Sequence, residues 1–150
     1  MQRRRSKNND LPPPAHSLIP RSADMLGHSA QWVLRLIRNL AGDSRTIEMG
    51  AAALAAVGGD RHALVQLGRL CGLLMIVGLD IAIREAGSVS RDEWNFLTCL
   101  ALAQRRKIPA NCPMVGPMID AELRSALRKE MIGAAQQLKR LGMRLPVLQA

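Results

Sequence analysis

Three histidines, His16, His28 and His62, are the first side chains to weigh for acid–base chemistry near neutral pH. None stands in a nucleophile elbow, in HExxH or at another metal-ligand spacing, so they read as surface or helix-end residues. Asp80 is the carboxylate with the most apolar sequence neighbours. It can pair with Arg84 four residues on, or with Arg69 on a similar helix face. No second carboxylate or phosphate-binding loop accompanies it, which points to a structural ion pair rather than a catalytic acid. The glycines form neither GxGxxG nor GxxxxGKS/T, so no nucleotide fingerprint is present. Cys71, Cys99 and Cys112 are odd in number and contain no CxxC, which suggests neither a disulfide framework nor a zinc site. Cys71 and Cys99 lie in apolar helical stretches and read as buried thiols of a reducing cytoplasm. The expectation is no enzyme, no cofactor and no metal.

Two look-alikes fall between the third and fourth helical stretches. As a twelve-residue calcium loop, Ala82 to Glu93 places Gly87, Val89 and Glu93 at the sixth, eighth and twelfth positions. Positions one, three and five are Ala82, Arg84 and Ala86, where oxygen ligands are required, so the match reflects turn geometry and not metal binding. The string AIREAGSVSRDEW loosely fits a DNA-reading helix-turn-helix. Its second helix would present Asp92 and Glu93 to phosphates and continues Trp94, Phe96, Leu97 and Leu100, too apolar to lie exposed in a groove.

Phosphate contacts by charge alone are better supported. The chain carries 21 Lys and Arg against 12 Asp and Glu, a net charge of +9, and 17 of the 21 are Arg, the residue whose fork suits phosphate. Residues 1–22 hold +4 and residues 105–150 hold +6, leaving the middle nearly neutral. Candidate contacts are Arg3, Arg4, Arg5 and Lys7 at the start, the triplet Arg105, Arg106 and Lys107, and Arg124, Arg128, Lys139 and Arg140 on the last helix. Asp120, Glu122 and Glu130 interrupt that last face. With no Tyr and only Trp32, Trp94 and Phe96 as aromatics, base-stacking platforms are lacking.

The elements that must position these residues are helical. The chain has 150 residues, enough for one domain, and 48% apolar composition with 2% aromatics demands an aliphatic core. Residues 1–22, with Pro12–Pro14, read as a flexible basic arm, and residues 23–150 as a single all-α domain, a compact bundle of about five helices. The first helix runs from about Ala23 to Gly42, and the second, short and alanine-rich, from Thr46 to Val57. The third is capped by Asp60 and runs to about Ala86. It is apolar on nearly every face from Leu64 to Ile83, so it is either the buried centre of the bundle or covered by a second subunit. Its longest uncharged run, Leu70 to Leu79, is too short to span a membrane. Gly68, Gly72 and Gly78 permit close helix approach. Ser90 to Glu93 forms a capping box for the fourth helix, three prolines stiffen residues 108–117, and an amphipathic fifth helix spans about Met118 to Leu141.

The function these features favour is a non-enzymatic adaptor, regulatory or assembly subunit working through protein–protein contacts, as a homo-oligomer or in a larger complex. Leu70, Leu74, Ile76, Val77 and Leu79 are the candidate apolar interface, and Met25, Met49, Met75, Met114, Met118 and Met131 an adaptable lining. The alternative is a basic nucleic-acid-associated protein making phosphate contacts without sequence readout. A third class is a protein held on an anionic membrane surface by its basic ends.

Overall fold

The computed structural model describes residues 21–81, 87–107 and 120–148. Five helices make the bundle: α1 (His28–Leu40), α2 (Ser44–Ala56), α3 (Arg61–Ile76), α4 (Arg91–Gln104) and α5 (Ala121–Arg140). One two-residue ladder was not foreseen, β1 (Arg21–Ser22) paired antiparallel with β2 (Ser88–Val89). A 3-10 turn at Ala23–Met25 then leads into α1, which therefore starts five residues later than the periodicity suggests. The arm at residues 1–20 lies outside the described residues, and residues 21–22, assigned to it from sequence, are held in the ladder.

Helix starts follow their caps closely. Asp43 accepts from Thr46 N–H, Asp60 from Ala63 N–H and Asp120 from Leu123 N–H. Ser90 and Glu93 complete the reciprocal capping box at the start of α4. The major departure is the end of α3. It stops at Ile76, and Gly78 takes φ +75° as Leu79 N–H returns to Leu74 O. This is the Schellman stop that a glycine just past a helix makes easy. Asp80 is therefore outside α3, so the helical spacing that paired it with Arg69 does not apply, and Arg84 lies outside the described residues.

α1 packs on α2, α3 and α4, while α5 packs on α3 and α4, so α3 and α4 both bridge the α1 and α5 layers. The buried central helix of this bundle is α4, not α3. Nine of its residues are buried, including Trp94, Phe96, Leu97, Cys99 and Leu100. That burial also removes it as a groove-reading helix. α3 buries only Ala63, Leu67, Leu70, Cys71 and Leu74. These fall on one side of the helix, joining Val33, Leu36, Ile37, Leu127, Met131 and Leu138 in one continuous core.

Candidate functional site

At about 100° per residue, Val65, Gly68, Arg69, Gly72, Met75 and Ile76 share roughly one third of the circumference of α3, opposite its buried stripe. All six are exposed, Met75 at 62% and Ile76 at 70%. A Cβ built on Gly68 or Gly72 would meet nothing within 4 Å. The outer face of α3 is thus a flat strip with two bare backbone positions, flanked by large aliphatic side chains and carrying two charges, Arg61 at its start and Arg69 in its middle. Of the residues expected to form an apolar interface, Leu70 and Leu74 are core, at 0% and 2% exposure, and Val77 and Leu79 are partly buried against it. Ile76 alone of that set faces outward. Apolar character on both sides of the helix concealed which side was which. Met25, Met49 and Met75 are exposed, Met131 is buried, and Met114 and Met118 lie outside the described residues.

A second constellation is internal. Glu93 is fully buried and its carboxylate takes a bidentate pair from Arg38, Nε to Oε2 at 2.6 Å and Nη2 to Oε1 at 2.9 Å. Ser90 N–H donates to the same Oε1 at 2.9 Å, and Arg38 Nη2 also donates to Ser88 O at 2.6 Å. Ser90 Oγ–H donates to Asp80 O, while Asp80 N–H donates to an Asp92 carboxylate oxygen. Six polar residues thereby tie α1, β2 and the start of α4 to the chain leaving α3. Because Glu93 is committed to Arg38 and to its own cap, it is not free to serve as the twelfth-position ligand of a calcium loop. Sequence reasoning found the cap and missed Arg38, which lies 55 residues away on α1.

The basic candidates divide by position. Arg3, Arg4, Arg5 and Lys7 lie outside the described residues. Arg124 and Arg128 are half-buried on α5. Arg105, Arg106, Lys107, Lys139 and Arg140 are exposed at the C-terminal ends of α4 and α5. Arg105 Nη1 donates to Ala101 O at 2.8 Å and Leu145 O at 2.7 Å. Buried Gln104 donates to Met143 O at 2.7 Å and accepts from Leu145 N–H at 2.8 Å. These bonds hold the segment after α5 against the end of α4 and bring Arg144, absent from the sequence candidates, beside Arg105 and Lys139.

Cys71 and Cys99 are buried and not in a disulfide, and Cys112 lies outside the described residues. Burial pushes the Cys71 thiol up to about 12 from 9.0. The folded state therefore keeps a proton that the unfolded chain loses above pH 9, so this term holds in full below pH 9 and fades as pH rises toward 12. With no Tyr to titrate, urea midpoints between pH 8 and 11 should fall more steeply for the natural chain than for Cys71→Ala. Equal slopes would show that Cys71 does not supply the effect.

No group of three or more His, Cys, Asp or Glu among the described residues is placed to hold a metal ion. No helix among them is long and apolar enough to cross a membrane. Compared with known proteins, the chain matches no family model, no curated protein and no solved structure.

Proposed function

We propose that this chain is a non-enzymatic assembly or adaptor subunit whose working surface is the outer face of α3, with a second copy of the chain as its first partner. The observation that carries this reading is the pairing of bare Gly68 and Gly72 with exposed Val65, Met75 and Ile76 on one face. Two glycines four residues apart let helix backbones approach closely, and the aliphatic side chains beside them lose water contact when they do. A symmetric pair needs only one such patch, because each copy presents the same strip to the other. Arg69 would lie within or beside the seam and favours a crossing that separates the two guanidinium groups. The buried thiols Cys71 and Cys99 suit a reducing compartment, and the cytoplasm is the location this reading assumes.

Size-exclusion chromatography with light scattering, at low and high salt and with absorbance at 260 and 280 nm, tests the proposal. The expected result is a nucleic-acid-free dimer that persists in high salt, because apolar burial is not screened. A monomer at both salts overturns it. A monomer that elutes with nucleic acid at low salt and without it at high salt overturns it in favour of phosphate binding.

A further inference from the structure

We infer that the cleft between the C-terminal ends of α4 and α5 is a binding site for a single phosphate group. Gln104, Arg105, Lys139 and Arg144 line it, with no carboxylate among them. Its free space is about 110 Å³ within the walls and about 310 Å³ when counted out to the open mouth. The larger figure includes open solvent, and the smaller one is room for one tetrahedral oxyanion. A drug-sized molecule would not be enclosed. The inference is independent of the α3 face.

The charge in the cleft is not consumed by the fold. Helices α4 and α5 both end there, and each helix end contributes roughly half a negative charge. Three full cations leave about two positive charges after that offset. Lys139 Nζ–H reaches Gln104 O at 3.4 Å, and Arg105 spends Nη1 on Ala101 O and Leu145 O. Nε and Nη2 of Arg105, and the whole Arg144 guanidinium, have no protein acceptor among the described residues. Arg144 is also exposed and hence free to swing over a bound group. Two Arg forks and one Lys ammonium meeting at a small cleft are the donor set that phosphate oxygens require.

The backbone beside the cleft adds a second observation. Schellman stops follow α2, α3, α4 and α5, and the left-handed position is glycine in three of them: Gly58, Gly78 and Gly142. After α4 the same position is Arg106, at φ 56°, the only non-glycine residue with positive φ among the described residues. Glycine would be less strained at this position. Arg106 is exposed and directly follows the cleft residue Arg105 in the chain, without lining the cleft itself.

The test is an NMR titration of amide and Gln104 side-chain signals in the full chain with inorganic phosphate, at constant ionic strength. Saturable shifts centred on Gln104 and Leu145 are expected. Arg144→Gln, a change at an exposed side chain, should weaken binding about tenfold, since it removes a charge-assisted donor. Lys129→Gln, which lowers net charge equally from elsewhere on α5, should change it less than about twofold. Arg106→Gly should weaken binding roughly threefold while raising the thermal midpoint, a combination that damaged folding cannot produce. Shifts that spread without saturation over all basic surfaces, or equal losses in Arg144→Gln and Lys129→Gln, would overturn the site. A short mixed-sequence DNA duplex is the second arm. Displacement of phosphate by the duplex at these amides identifies the group as a nucleic-acid backbone phosphate, and a duplex that leaves phosphate in place identifies a free phosphate or phosphomonoester.

Discussion

Leu74→Asp is expected to abolish folding, whereas Ile76→Asp, two residues further along α3, is expected to leave a folded monomer. Leu74 is 2% exposed in the core and Ile76 is 70% exposed at the helix end. Removing the Leu74 side chain alone forfeits about 2–5 kcal/mol. An unpaired carboxylate in its place adds several kcal/mol more, which together reaches the whole stability of an ordinary domain, about 5–15 kcal/mol. At Ile76 the carboxylate stays in water and opposes only the negative helix end, a cost of about 0.3–1 kcal/mol. Far-UV circular dichroism with thermal melting separates the two results. A folded Leu74→Asp protein would mean that the two sides of α3 have been assigned the wrong way round.

Glu93→Ala should lower stability by about 3–5 kcal/mol, the usual effect of stranding one member of a buried ion pair. The geometry places it toward the upper end, because three donors (Arg38 Nε–H, Arg38 Nη2–H and Ser90 N–H) lose their acceptor together. Arg38 is 14% exposed, so solvent replaces only part of what is lost. The combined substitution Arg38→Met/Glu93→Leu should recover most of the loss, since it removes both charges and fills their volume. Urea denaturation of the two variants measures the difference. If the double variant is no more stable than Glu93→Ala, the pair itself, and not the stranded charge, is what holds α1 to α4.

The elements legible in the sequence were those with local signals. Asp43, Asp60 and Ser90 are N-caps, and the helices they start begin where those caps place them, whereas α3 ends at Ile76 instead of near Ala86 and α5 begins at Ala121, behind an Asp120 cap that was not read as one, instead of near Met118. Apolar periodicity also gave the core face of α5, Leu127, Met131, Ala134 and Leu138. What the sequence could not reveal depends on contacts made at long range. The β1–β2 ladder joins two dipeptides more than 60 residues apart and has too few residues to carry a pattern. The interchange of α3 and α4 as the central helix has a different cause. Glu93 and Gln104 make α4 look less apolar than α3, yet both are buried with their hydrogen bonds satisfied. The glycines make α3 look core-like although Gly68 and Gly72 simply leave backbone open to solvent. Arg105 and Lys139 were legible as cations, but their meeting with Arg144 depends on Gln104 holding the chain after Gly142 against α4.

Sedimentation equilibrium on the natural chain and on Gly68→Gln/Gly72→Gln tests the central proposal most directly. Nothing lies within 4 Å of a Cβ at either position, so the monomer accepts both side chains without a clash. Glutamine is the better helix former by roughly 0.5 kcal/mol per site, so the monomer should become slightly more stable. The same side chains hold two helix backbones apart. The expected result is a natural chain that dimerises and a double variant that stays monomeric while melting at a higher temperature. A natural chain that remains monomeric at every concentration, or a double variant that dimerises as tightly as the natural chain, would contradict the assignment of the α3 outer face as the interaction surface.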